Sequence, residues 1–290
     1  MLGLAALAAF ALSSCANVNS SAGTGWLPTG PDGANVTTET ERITTLWVGT
    51  WVAGLAVGVL VWGLAIWCMV AYRRRKGDPE LPPQLRYNVP IELLYTVVPV
   101  LMVAVLFYYT ARDEAAILDT SPDPDVTINV VAKQWSWDFN YLEDGVYETG
   151  VHSEIDSGGA VTGTPQPVLY LPVNERVEFV LTARDVVHSF WIPAFLVKMD
   201  VIPAYTNKFQ VEATQVGEYQ GKCAELCGAY HSQMLFKVKV VERAEFDAEM
   251  ERLRSIGHTG ILNADLNREK LMPAEEEKLD KAIERARSQG

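Results

Sequence analysis

Positive charge is scarce in this 290-residue chain. Twenty-four lysines and arginines face 36 acids, giving a formal net charge of -12. A protein that neutralises phosphates needs the opposite balance, so nucleic acid is excluded and a basic partner or none is left. Histidine and cysteine are rarer still, with four of each. Any clustering of them therefore carries information. Charge of either sign is missing from Ile43 to Tyr72, which points to a membrane span and not to a surface helix. No lysine or arginine precedes the first apolar stretch, Leu2 to Leu12, where a secretory signal normally carries one.

Two thiols, an imidazole and a thioether fall within twelve residues, Cys223-Ala224-Glu225-Leu226-Cys227-Gly228-Ala229-Tyr230-His231-Ser232-Gln233-Met234. Thiolate and thioether are soft donors that select copper or zinc over magnesium or calcium. The thioether favours copper, because zinc sites are filled by thiolate, imidazole and carboxylate. The spacing is too tight for a regular strand, so a loop between two strands is predicted. A second imidazole, His188, stands at the exit of a strand-like run, Arg176 to Thr182. A simple Cys223–Cys227 disulfide is the alternative use of the two thiols.

Asp185-Val186-Val187-His188-Ser189-Phe190, followed by Cys-x-Glu-x-Cys-x3-His-x2-Met, resembles the dinuclear copper (CuA) domain of cytochrome c oxidase subunit II. The resemblance covers roughly residues 40–242. It implies side-chain copper ligands at His188, Cys223, Cys227, His231 and Met234, with Glu225 ligating through its backbone carbonyl. It further implies two copper ions bridged by the thiolates, and a magnesium ion shared with subunit I through the Glu225 carboxylate. Gln134-Trp135-Ser136-Trp137 resembles the family segment whose first Trp, here Trp135, receives electrons. Acids near it in sequence (Asp119, Asp123, Asp125, Asp138, Glu143, Asp144 and Glu148) suit a basic donor.

Residues 1–14 read as a lipoprotein-type signal, because Leu12-Ser13-Ser14-Cys15 resembles a bacterial lipobox with lipid on Cys15. Residues 15–42 are rich in Gly, Ser, Thr and Asn and read as an extracytoplasmic tether. Residues 43–111 read as a transmembrane helix hairpin. A 30-residue helix is about 45 Å long, enough to cross with tilt or overhang. Arg73-Arg74-Arg75-Lys76 holds the far end of the first helix in the cytoplasm. The second span, Ile91 to Ala111, returns the chain outside. Glu92 stands at its cytoplasmic end, where the family has a carboxylate at the mouth of a proton path into subunit I. The alternative is a carboxylate reaching water at a helix end.

From residue 112 the pattern alternates. Short strands are predicted at Val126–Ala132, Val168–Leu171, Arg176–Thr182, Lys208–Glu212, Glu218–Gly221 and Leu235–Val241. They suggest a Greek-key sandwich or barrel, which the resemblance sharpens to a cupredoxin-like domain over 112–242. Residues 243–290 read as a charged helical extension lying on a partner or in solvent. His152 and His258 read as solvated.

The fold class expected is thus a membrane-anchored all-β protein: a two-helix hairpin, a cupredoxin-like Greek-key β-barrel and a C-terminal helical extension. The resemblance implies subunit II of an aa3-type oxidase in the bacterial cell membrane, with both termini and the copper domain extracytoplasmic. It would take electrons from cytochrome c, or from a membrane-bound cytochrome c domain, and pass them to haem a in subunit I for proton-pumping oxygen reduction. Subunits I and III and membrane lipids are the other partners implied. Two further classes fit the thiols less well: a copper-free quinol oxidase subunit, and a membrane-anchored copper chaperone or thiol oxidoreductase.

Overall fold

The structure is a computed structural model describing residues 24–79, 81, 84–158, 160–162, 166–262 and 273–289. The expected signal segment and Cys15 lie outside the described residues. The chain divides into two compact units. One is Arg42–Ile117, and the other combines the described residues before and after it.

The first unit is two long helices, α1 (Thr40–Ala71) and α2 (Val89–Ile117). Both are long and apolar enough to cross a membrane. Their apolar side chains face outward all round, which is stable in hydrocarbon and not in water. Helix α2 starts two residues earlier and ends six later than its apolar run, so Pro99 falls well inside it. Asp113, near its end, is buried between the guanidinium groups of Arg112 (2.7 Å) and Arg42 (3.4 Å).

The second unit is a sandwich of two five-stranded sheets. Its strands are β1 (Val126–Lys133), β2 (Ser136–Tyr141), β3 (Val146–Thr149), β4 (Glu154–Ile155), β5 (Val161–Thr162), β6 (Val168–Pro172), β7 (Arg176–Ala183), β8 (His188–Ile192), β9 (Val197–Val201), β10 (Asn207–Glu212), β11 (Gly217–Cys223) and β12 (Leu235–Val241). One sheet runs β10-β7-β1-β2-β3 and the other β6-β12-β11-β8-β9, while β4 and β5 form a separate hairpin. Pairs β1–β7 and β6–β12 are parallel; the other pairs are antiparallel. This is the Greek-key, cupredoxin-like architecture the sequence implied, with β2, β3, β4, β5, β8 and β9 added to the predicted strands.

Aromatic rings from both sheets fill the space between them. Trp137 meets Phe190 and Phe236, Phe139 meets Phe236, Phe179 meets Phe190 and Phe209, and Phe190 stacks on Phe236, with centroids 5.1–5.6 Å apart. Gly221 on β11 lies opposite Phe236 on β12. A Cβ there would sit 2.0 Å from the Phe236 ring, so only glycine lets the ring lie flat on the strand. Trp137 is fully buried and donates its indole N–H to the Met234 carbonyl at 3.3 Å. The core thus reaches directly to the end of the sulfur-rich loop.

Three expectations are corrected. The stretch before α1 is not a free tether at its end: Val36 is fully buried, and Thr214 donates to its carbonyl at 2.8 Å. The C-terminal extension packs on the chain's own β-sandwich. Helix α3 (Arg243–Ser255) buries Phe246, Met250 and Leu253 in the sandwich core, and α4 (Pro273–Gln289) packs Leu279 and Ala282 against Val180. Buried Glu178 is paired with Arg285 of α4 and lies 3.6 Å from Lys208. His258 is stacked on Tyr147 at 4.9 Å and is not freely solvated.

Candidate metal centre

Strand β11 ends at Cys223, and the loop runs through Cys227 to a 3-10 turn at His231–Gln233 before β12 begins at Leu235. The loop is closed at its base, where the Cys223 amide donates to the Met234 carbonyl at 3.0 Å. It is tied sideways by the Ala224 amide, which donates to the Ser189 carbonyl on β8 at 3.0 Å. His188 is the first residue of β8, not the exit of β7, and its side chain is fully buried.

These ties bring six donor groups together. Sγ of Cys223 lies 3.8 Å from Sγ of Cys227, and both cysteines are free thiols. A disulfide would need about 2.05 Å, so the disulfide alternative does not hold in this structure. Each sulfur has its own imidazole: His188 Nδ1 lies 3.9 Å from Cys223 Sγ, and His231 Nδ1 lies 3.5 Å from Cys227 Sγ. Each has one further neighbour. The Glu225 carbonyl lies 3.2 Å from Cys223 Sγ, and Met234 Sδ lies 3.8 Å from Cys227 Sγ. The donor atoms of His188, Cys223 and Cys227 all lie within 4.8 Å of one another. Paired sulfurs, with one imidazole and one weak donor beside each, are a soft donor set suited to copper.

The electrostatics follow from burial and partners. Burial disfavours the Cys223 thiolate, but the His188 imidazole together with the Ser189 and Glu225 backbone outweighs it and holds this thiol below its ordinary range. At Cys227 burial wins, and with the Cys223 sulfur beside it the thiol is pushed up to about 12. Burial disfavours the His188 cation, yet the Asp185 carboxylate and the Cys223 sulfur raise its pKa above the ordinary value. Asp185 in turn is held low, chiefly by His188 against its own burial. One Asp185 oxygen lies 2.8 Å from His188 Nε2, and the other accepts the Gln134 amide at 2.7 Å. Asp185 thus fixes the ring so that Nδ1 faces the sulfurs.

Trp135 is half-buried on this loop. Its indole N–H donates to the Cys227 carbonyl at 3.0 Å, and the Gln134 side chain donates to the same oxygen at 2.9 Å. Gly228, at φ +122°, leaves the room: a Cβ would meet the indole at 3.1 Å. The other residues singled out in the sequence lie elsewhere. Glu225 is exposed. Glu92 is half-buried in the first turn of α2, where its carboxylate accepts the Asn88 amide at 2.9 Å, so it caps that helix. Asp138 cannot face a partner, since it is fully buried against Lys133 (2.5 Å) and Arg184 (3.0 Å).

Sequence reasoning passed over Asp185, Gln134, Gly228 and Tyr230. Asp185 carried a signal, three residues before His188, and Gln134 stood beside Trp135. Tyr230 and Gly228 carried none beyond lying within the metal loop.

The chain was compared with known proteins. The family model described as "Cytochrome C oxidase subunit II, periplasmic domain" matches residues 126–241. The probable cytochrome c oxidase subunit 2 of Streptomyces avermitilis is 47% identical over 261 residues, covering 80% of this chain and 81% of that one. The cytochrome c oxidase subunit 2 of Mycobacterium tuberculosis (strain H37Rv) is 37% identical over 279 residues, covering 79% and 75%. Among solved structures, the periplasmic domain of subunit II of the Bradyrhizobium japonicum oxidase is 31% identical, covers 47% of this chain and 99% of its own, and gives a TM-score of 0.42. The copper centre that this family implies has its donor types at hand in the loop after β11. A relative 47% identical across four-fifths of both chains, together with that matching domain, establishes that the chain belongs to the cytochrome c oxidase subunit II family.

Proposed function

We propose that this chain is the electron-receiving subunit of an aa3-type oxidase, and that His188, Cys223, Glu225, Cys227, His231 and Met234 hold two copper ions. Bound there, the pair supplies a one-electron redox centre. The chain's own residues do three things for it. Cys223 and Cys227, 3.8 Å apart, would hold both ions. Asp185 locks His188, and the buried aromatic core under Met234 keeps the loop from relaxing between redox states. Trp135 receives single electrons from cytochrome c or a membrane-bound cytochrome c domain, and its bond to the Cys227 carbonyl links the indole to a ligand residue. The electrons leave for haem a in subunit I, where oxygen is reduced and protons are pumped.

The rest of the reading concerns placement. Helix α1 runs from outside to inside, ending at Arg73-Arg74-Arg75-Lys76, so the β-sandwich and both termini are extracytoplasmic. Cys15 carries lipid. Glu92 then stands at the cytoplasmic end of α2 and serves the mouth of a proton path in subunit I. The exposed Glu225 carboxylate binds magnesium shared with that subunit. Subunit III completes the core assembly.

The observation that carries this reading is the pair of free thiols with one imidazole beside each. A thiol oxidoreductase or chaperone would need one labile thiol pair on a thioredoxin-like βαβ frame. Here, among the described residues, the only α-helices of the β unit follow its last strand. Metal analysis and optical spectra of the full-length chain test the reading: two coppers with a mixed-valence purple spectrum are expected, and a single copper would overturn it.

A further inference from the structure

Trp135 is not the outermost ring at the metal loop. Tyr230 is exposed (43% of its surface) and sets its edge against Trp135, with centroids 5.0 Å apart at 74°. His152 lies flat on Tyr230, at 5.0 Å and 18°. The three rings come from three places: the turn between β1 and β2, the metal loop, and the segment between β3 and β4. Trp135 and the His152 segment are each held against the metal loop that carries Tyr230. The Ser153 amide donates to the Gln233 carbonyl at 2.9 Å, which holds His152 over the loop. Gly150 packs so closely on Pro167 that a Cβ would meet it at 2.6 Å, which fixes the start of the same segment. Gly228 and the Cys227 carbonyl hold the indole from the other side.

We propose that Tyr230, steadied by His152, is the contact that the electron donor makes first, and that it is both a specificity-determining residue and the positioning residue for Trp135. The inference rests on the proposed role of Trp135 and adds to it. A donor approaching the indole meets the phenol ring first. Aromatic rings that are rigid and already ordered are strong contact points, because little side-chain entropy is lost when they are covered. The partner that fits is a protein presenting the edge of a c-type haem, whose flat apolar rim matches an exposed ring. One electron leaves the donor haem, which is oxidised, and reduces the centre behind Cys227; no bond forms or breaks.

The test uses the full-length chain in lipid nanodiscs with a small soluble cytochrome c as probe. Stopped-flow reduction of the copper-loaded chain is expected to slow by about tenfold or more in Tyr230→Leu and to change by less than about twofold in Tyr230→Phe, which keeps the ring. His152→Ala is expected to slow it by about three- to fivefold, since the phenol then loses its steadying partner. A second readout needs no copper: affinity of the metal-free chain for cytochrome c, measured by calorimetry, is expected to fall about fivefold in Tyr230→Leu. Trp135→Phe is measured alongside. If Trp135→Phe slows reduction and Tyr230→Leu does neither, the present inference is wrong and the Trp135 port stands. If Trp135→Phe has no effect, the port itself is wrong. Should Tyr230→Leu lose copper, the decision passes to His152→Ala, whose native-like rate and affinity would overturn the inference.

Discussion

Gly228→Ala is the sharpest test of how the metal loop is held. The residue sits at φ +122°, where an L-residue is strained by roughly 1–3 kcal/mol. A Cβ would approach Trp135 Cζ2 and Nε1 at 3.1 Å and Gln134 Nε2 at 3.3 Å. Those two side chains share the Cys227 carbonyl as acceptor. The half-buried indole can retreat, so the clash is relieved by loosening one or both bonds, each worth about 0.5–1.5 kcal/mol net. Together the expected loss is roughly 1.5–6 kcal/mol. For a unit of this size that lowers Tm by about 3–24 °C. Gly257→Ala is the control, because Gly257 has φ +84° and nothing within 4 Å of its Cβ position; it isolates the backbone cost. Differential scanning calorimetry of the metal-free chain is the assay. A Gly228→Ala change no larger than that of Gly257→Ala would refute the claim that this glycine makes room for Trp135.

Other outcomes follow from the same geometry. Asp185→Asn should weaken copper binding by about 10- to 100-fold with the fold intact, because His188 loses the carboxylate that aims it; competition with a chelator measures this. Gly221→Ala should cost about 1–3 kcal/mol or more as its methyl drives into Phe236, read from denaturant unfolding. Glu148, raised to about 7 chiefly by burial, with Arg252 opposing and Glu249 and Asp138 adding, binds its proton more tightly folded than unfolded. Its contribution is therefore fully present below its ordinary 4.5 and is lost as pH rises through about 7. The shift corresponds to roughly 3 kcal/mol at most, and Glu148→Gln should flatten that part of the stability–pH curve. A native-like slope in the variant would contradict it.

Much of this structure was legible in the sequence, and the exceptions have physical causes. The membrane helices announced themselves by absence of charge, and strands such as β7 and β12 by runs of β-branched and apolar residues. Strand β2 did carry a signal, since Ser136 to Tyr141 alternate polar and aromatic residues, but the density of rings drew attention to Trp135, and all six residues are buried. Strand β8 was hidden because His188 and Ser189 are polar yet buried. Helix α3 did carry a signal: Phe246, Met250 and Leu253 fall on one face at helical spacing, although the many charges around them suggested a solvated helix. The six donor positions could be named from spacing and family likeness. The Tyr230–His152 stack could not, because it joins segments 78 residues apart, from 152 to 230, through a fold that local patterns do not encode.

The account stands on two sulfurs shared by two metal ions. X-ray absorption at the copper edge on the intact, copper-loaded chain measures this directly. A short copper–copper vector with two bridging sulfurs per ion, lost together in Cys227→Ser, is the predicted result. A spectrum needing one copper with a single sulfur neighbour, or cysteines found oxidised to a disulfide in the active oxidase, would contradict it.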